Sequence, residues 1–351
     1  MDRILPQKLR TARLMRGLSM EALTRRMDGL ITKQAVSKYE QGKMQPTPTV
    51  VKALSTALDV PISYFYKQGA QIGSIKFRID YRVPAKSYEQ MLSFAQDKVE
   101  HYLYIEELLA LSTPVSLPLK RMIISSAEDA EAAALKLRTA WQLGEWPIFS
   151  AYEILESKGV KLVEFEAEVK HVLGFSAWIN EQIPMVVINR SANDTTERKR
   201  FTTFHELGHL FLRFPEDIID SRCERLCNRF ASALLCPATV LIRELGASRK
   251  VLTLEELISL RNRYGISIAA AIHRAKDLGI ISDAYYNKLF NHYIHANPLE
   301  TGWGCYPIEE HTDRYERLLQ RAIAEKYLTW KEASELLGES LETHKEAILI
   351  L

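Results

Sequence analysis

Along the first 66 residues, hydrophobic positions recur at helical spacing in short runs separated by glycine. Leu9, Ala12, Leu14 and Met15 recur at helical spacing before Gly17 interrupts the pattern. Ser19 stands as the N-cap of a second helix that carries Ala22 and Leu23 and closes at Gly29. Thr32 is placed to cap a third helix over 33–40, which Gly42 stops. A fourth is predicted from Thr47 to Leu58, with Pro48 near its start, where a missing N–H costs nothing. Pro61 opens a short fifth that includes Tyr64 and Phe65.

Beyond residue 67 the pattern changes. Residues 68–82 read as a linker leading into alternating apolar positions at Ile75, Phe77, Ile79 and Tyr81, the period of a strand. A connecting helix is predicted over 85–111, with Tyr88, Leu92, Val99, Leu103, Leu108 and Leu109 apolar; Pro114 and Pro118 end it and mark a second linker. An alanine-rich helix covers 127–143. Three β-branched or aromatic runs follow, Val160–Phe165, Gly174–Ile179 and Met185–Ile188, spaced by turn-like stretches as in a small antiparallel sheet. The pattern is helical again over 251–290, irregular over 297–307 and helical from His311 to Ile350. The implied class is α+β: an all-α N-terminal domain at 1–67, a linker and connecting helix at 68–126, a mainly helical domain at 127–290, and a C-terminal helical extension at 291–351.

Composition places the chain among ordinary globular proteins, at 47% hydrophobic and 26% charged residues. No apolar run approaches the roughly 18 residues that would cross a bilayer, which argues against a membrane partner. The opening residues lack the apolar stretch of a secretory signal, and four clustered cysteines do not make a disulfide framework, so a reducing cytoplasm is the expected location. Charge is uneven. Residues 1–67 hold 12 Lys/Arg against 5 Asp/Glu, whereas the remainder holds 34 against 39. A basic segment of +7 on a body of −5 points to a polyanion partner for that segment alone.

Within the basic segment, the second and third helices have the layout of a helix-turn-helix. Small Ala22 permits close helix approach, and Gly29 permits the turn. The third helix would present Lys33, Gln34, Ser37 and Lys38 outward, where Gln can bond adenine and Lys can donate to guanine. Arg10, Arg13, Arg16 and Lys43 are the expected phosphate contacts. Leu18-Ser19, the run Val36-Ser37-Lys38-Tyr39-Glu40 with Gly42, Pro46 and Ala57-Leu58 carry a resemblance to the lambda-repressor/Cro-like (Xre) helix-turn-helix family over 6–66. That resemblance implies double-stranded operator DNA as a partner, usually bound by homodimers. Met20, Thr24 and Arg25 depart from it, standing where the family commonly has a Gln and a small residue.

The second half contains His205-Glu206-Leu207-Gly208-His209. On a helix, residues four apart lie on one face, so both imidazoles can address one ion at about 2.0–2.1 Å. Glu206 is rotated about 100° from His205 and can flank such an ion as general base. Asp194 and Glu197 offer a capping box ahead of the motif. A catalytic zinc commonly takes three protein ligands and keeps one position for water. Glu224, on the next helix, is the best third ligand; Cys223 and Cys227 on the same helix compete for that place. Cys236 reads as a small buried residue, and Cys305 as a core or surface thiol or, less simply, a latch over the metal.

Arg200-Phe201-Thr202, the His205–His209 motif, Glu224, Asn228-Arg229-Phe230-Ala231 and Leu234-Leu235-Cys236-Pro237 together resemble the ImmA/IrrE metallopeptidases; Trp141–Gly144 and Arg263–Ser267 extend the likeness. The resemblance covers about 127–290. It implies a zincin-like fold, zinc held by His205, His209 and Glu224, catalysis by Glu206, and transcriptional repressors as protein substrates. The leading expectation is therefore a zinc endopeptidase that regulates transcription. Two alternatives stay open: a DNA-binding repressor whose zinc domain senses a ligand without cutting, and a self-cleaving repressor. The strand Met185–Ile188 has two readings, an edge that takes up extended substrate or a buried strand, and Tyr264 is a candidate oxyanion donor.

Overall fold

The computed structural model describes residues 6–16, 18–60, 62–66, 76–79, 85–111, 115, 118–119, 122–166 and 172–337. Gly17, Pro61, the linker start at 68–75, Tyr81, Pro114 and the end of the last expected helix lie outside the described residues. In chain order the elements are α1 (Pro6–Met15), α2 (Met20–Arg26), α3 (Lys33–Glu40), α4 (Pro48–Leu58), β1 (Lys76–Ile79) and α5 (Ala85–Leu108). Next come α6 (Ala127–Ala140), α7 (Ala151–Ser157), β2 (Lys161–Phe165), β3 (Val172–Ile179) and β4 (Ile183–Asn189). They are followed by α8 (Thr196–Phe211), α9 (Asp220–Leu235), α10 (Ala238–Leu245), α11 (Leu254–Tyr264), α12 (Ile268–Asp277), α13 (Asp283–Leu289), α14 (Arg314–Ala324) and α15 (Trp330–Leu337). The chain divides into two units. One comprises 1–71, 96–112 and 313–351, and the other 72–95 and 113–312.

The first unit is all-α among its described residues. Ser19, Thr32 and Thr47 cap α2, α3 and α4, each side chain accepting from a backbone N–H three residues on. Leu9, Ala12, Leu23, Val36, Leu54, Leu58 and Phe65 form its core, the last on a short 3-10 turn where a fifth helix was expected. Two of the expected phosphate contacts are otherwise engaged. Arg13 is 6% exposed and donates through Nε and Nη2 to both oxygens of Glu40, at 2.6 and 2.8 Å, tying α1 to α3. Arg16 bonds the Leu58 and Asp59 carbonyls, which end α4, and pairs with Glu332 of α15. A guanidinium beside terminal carbonyls complements the helix dipole. The C-terminal helices α14 and α15 belong here too. Leu318, Leu319, Ala322, Ile323 and Leu336 pack with Tyr102, Ile105 and Leu109 of the connecting segment. The stretch 291–351, expected as one extension, is thus divided near residue 313.

The second unit holds a four-stranded sheet of order β1-β3-β4-β2. β3 runs antiparallel to β1 and β4, but β4 runs parallel to β2, so the sheet is mixed and not purely antiparallel. The reason lies in where the hairpin lands: β4 inserts between β3 and β2. Its residues Met185, Val186, Val187 and Ile188 are fully buried, and a strand apolar on both faces takes a central position. The edge-strand expectation for Met185–Ile188 is therefore corrected; among the described strands the edges are β1 and β2. Helices α6 to α9 pack with this sheet around Leu137, Trp141, Leu155, Phe204, Leu207, Phe230 and Leu234. A second cluster unites α10 to α13 through Val240, Leu260, Ile266 and Ile272.

The irregular stretch 297–312 is fastened by buried carboxylates. Glu300 accepts from the Ile268 and Ala269 amides at the start of α12, at 2.9 and 2.7 Å. Glu310 accepts from the Ala151 and Tyr152 amides at the start of α7 and pairs with Arg200 of α8, all buried. Glu197 of α8 accepts from Arg261 and from the Tyr306 amide, each at 2.7 Å. The capping box expected of Asp194 and Glu197 is absent: Thr195 caps α8 instead, and Glu197 is turned inward to this network.

Candidate metal centre

α8 is helical because Thr195 caps it and nothing interrupts it before Leu212. Its face toward the core carries His205 and Glu206, both wholly buried, while the His209 side chain is 4% exposed. The chain then turns through 212–219. The Ile124 amide donates to the Arg213 carbonyl at 2.8 Å and fixes that turn. α9 follows with Glu224 in its second turn, and α8 and α9 lie against each other through Leu207, Phe211, Cys227 and Phe230.

Three donor atoms converge. Nε2 of His205 and Nε2 of His209 are 3.0 Å apart; Glu224 reaches the first through Oε2 at 3.1 Å and the second through Oε1 at 3.0 Å. Among the described residues this is the group of His, Cys, Asp or Glu arranged to hold a cation. Each carboxylate oxygen faces one of the paired nitrogens, a placing from which the two imidazoles and the carboxylate can address a common ion at bonds of about 2.0–2.1 Å. Two imidazole nitrogens facing each other can share one proton at most, so a cation satisfies both lone pairs where protons cannot. Burial alone would raise the Glu224 carboxyl, but hydrogen bonding to His205 and His209 outweighs it and holds the group well below the usual carboxylate range. The donor set fits a divalent ion. The Glu224 side chain is 37% exposed, so the cluster opens to solvent on that side.

Three further side chains complete the arrangement. Ser176 of β3 donates from Oγ to Oε2 of Glu206 at 2.8 Å. Its only sequence signal is a lone hydroxyl in an otherwise apolar run. Asn228 places Oδ1 2.8 Å from Nδ1 of His205, the nitrogen directed away from the cluster. Asn228 belongs to the run Asn228-Arg229-Phe230-Ala231, where local sequence gives no sign of this contact. Cys227, weighed as a ligand, turns its sulfur to Nδ1 of His209 at 3.6 Å. Cys223 is buried and stands outside the donor group, and Cys305 is exposed on the 297–312 stretch. Cys236 is fully buried, and burial pushes its thiol up to about 12. Tyr264 packs in the second core cluster, and its hydroxyl interacts with Arg243; no described contact joins it to the donor group.

On the first unit, Lys33, Gln34 and Lys38 of α3 are exposed, as is Lys43 just beyond it. Ser37 is half-buried and its Oγ accepts from Gln41 at 3.1 Å. The first turn of α3 carries no acidic residue. A polar, cationic helix N-terminus on a small helical unit suits contact with a phosphate backbone and major-groove edges.

A helix-turn-helix joined to a unit with a convergent His-His-Glu cluster describes a DNA-binding protein with a metallopeptidase-like domain. The comparisons agree: residues 9–65 match a family model described as Helix-turn-helix, and residues 155–276 match a peptidase family model described as IrrE N-terminal-like domain. The chain thus joins an Xre-like helix-turn-helix to an IrrE/ImmA-like domain of a peptidase family that is generally metal-dependent. No curated protein matches the chain. Among the described residues, no helix is long and apolar enough to cross a membrane.

Proposed function

We propose that this protein is a zinc-dependent endopeptidase of the His-Glu-x-x-His type that cleaves a repressor-type protein, and that its helix-turn-helix brings it to operator DNA. The convergence of His205, His209 and Glu224 beside the buried Glu206 carries the reading. Zinc held there would acidify a water molecule and polarise the scissile carbonyl. Glu206 takes the proton from the attacking water and delivers it to the leaving amine. Ser176 keeps the Glu206 carboxylate in one orientation, and Asn228 keeps the His205 ring in the tautomer that leaves Nε2 free to ligate. Lys33, Gln34, Ser37 and Lys38 face base edges, and Lys43 faces phosphate.

The test is co-expression with a candidate repressor, followed by electrophoresis and metal analysis. The wild-type protein should carry one zinc per chain and shorten the repressor. Glu206→Gln should retain zinc and slow cleavage by about 10²–10⁴-fold. Undiminished cleavage by that variant would refute the base assignment. Zinc-dependent repression without any cleavage would favour a ligand-sensing regulator, and a loss of mass from the protein itself would favour self-cleavage.

A further inference from the structure

We infer that Cys227 is a positioning residue: its sulfur accepts the Nδ1–H of His209 and holds that ring in the metal-ligating tautomer. The inference rests on the metal reading of the site and adds a residue to it. A histidine that ligates through Nε2 carries its proton on Nδ1, and that N–H needs a fixed acceptor if the ring is not to rotate or change tautomer. For His205 the acceptor is the Asn228 amide oxygen at 2.8 Å. For His209 the atom in the corresponding place is Sγ of Cys227, 3.6 Å from Nδ1, an ordinary separation for a sulfur acceptor.

The placement follows from helix geometry. Glu224, Cys227 and Asn228 are related as i, i+3 and i+4, so one face of α9 presents all three toward α8. A little over one turn of that helix therefore supplies a ligand and the acceptor behind each histidine. The close approach of the two helices depends on Gly208, between Glu206 and His209. A Cβ at that position would lie 3.2 Å from Sγ and 3.3 Å from Cβ of Cys227. The glycine of the motif thus admits the sulfur to the back of His209. Cys227 is fully buried, so water does not compete for the same N–H.

The experiment separates an acceptor from mere packing. Cys227→Val nearly preserves volume and removes the acceptor; Cys227→Ser restores a polar acceptor. Zinc affinity is measured on the full-length protein by competition with a chromophoric chelator, and unfolding of the metal-free forms is followed by circular dichroism. Cys227→Val should bind zinc about 10–100-fold more weakly than wild type, the usual cost of losing such a partner, while its metal-free form unfolds close to wild type. Cys227→Ser should recover most of the affinity. Equal zinc affinity in wild type and Cys227→Val would overturn the inference and leave the metal site standing; no zinc uptake by wild type would overturn both. Should the valine variant fail to fold, nitrogen-15 NMR of zinc-loaded wild type decides the matter. A slowly exchanging proton on Nδ1 of His209 supports the assignment, and a proton on Nε2 overturns it.

Discussion

Ser176 and Arg13 show what happens to single residues between sequence and structure. Ser176 lies in β3, 30 positions before Glu206, and meets it because strand pairing and helix packing bring β3 beneath α8. Replacing it with alanine leaves the His205–His209–Glu224 cluster untouched but frees the Glu206 carboxylate to rotate. Ser176→Ala should lower kcat on a peptide substrate about 10-fold, with zinc content and KM little changed. A variant with unchanged kcat would show that Glu206 is oriented by other contacts. Arg13 illustrates the reverse case. As a basic residue in a basic segment it reads as a phosphate contact, yet both its guanidinium edges are used on Glu40 and the Leu18 carbonyl. Sequence shows the charge of a side chain; only the fold shows whether that charge is already paired.

At the scale of elements, α8 depends on two buried ion pairs besides its cap. Arg261 holds Glu197 and Glu310 holds Arg200, so 297–312 and α11 help to seat the helix that carries His205 and His209. Burial tends to raise the Glu197 carboxyl, but the Arg261 side chain and the Tyr306 amide outweigh it and leave the group below its usual value. A depressed carboxyl contributes stability above its unfolded pKa, about 4.3, and that stability is lost as pH falls through the folded value. Glu197→Gln leaves Arg261 without one of its partners and should cost about 3–5 kcal/mol at pH 7 by urea denaturation. The gap between variant and wild type should narrow below about pH 4; a gap constant from pH 7 to pH 3 would show that the ion pair is not the source. The helix itself was readable from sequence, because caps and periodicity are local. Its cap is not local in the same way: Asp194 and Glu197 have capping-box spacing, yet Thr195 supplies the cap while Glu197 faces Arg261.

The whole molecule adds charge distribution and domain make-up. Gln34 and Lys43 both belong to the exposed basic region but should fail differently when changed. Gln34→Ala should weaken operator binding by about 1–3 kcal/mol and relax sequence preference at one base pair. Lys43→Ala should weaken binding evenly across sequences and reduce the salt slope by about 1. Titrations on operator and random duplexes at several salt concentrations separate the two, and identical behaviour would reject the division of labour. The C-terminal helices give a further test. Deleting 313–351 removes Leu318, Leu319 and Ile323 from their packing against Tyr102 and Ile105, and removes Glu332 from Arg16. The truncated protein should lose thermal stability in the helix-turn-helix unit, seen as an earlier transition in calorimetry; an unaltered transition would show that this unit stands without α14 and α15.

By itself the sequence determined whatever depends on short spacing: the capped helices of 6–66, the placing of His205 and His209 on one helix face, and the exposed polar positions of α3. These features repeat within a few turns, where backbone geometry alone sets which side chains are neighbours. The tertiary structure decided the rest. It gave β4 the central place in the sheet, engaged Arg13 and Arg16 in ion pairs, set Ser176 against Glu206, and joined 313–337 to the N-terminal unit. Each of those outcomes turns on contacts between residues far apart in the chain, selected by burial of apolar faces and pairing of buried charge, and no local pattern encodes them.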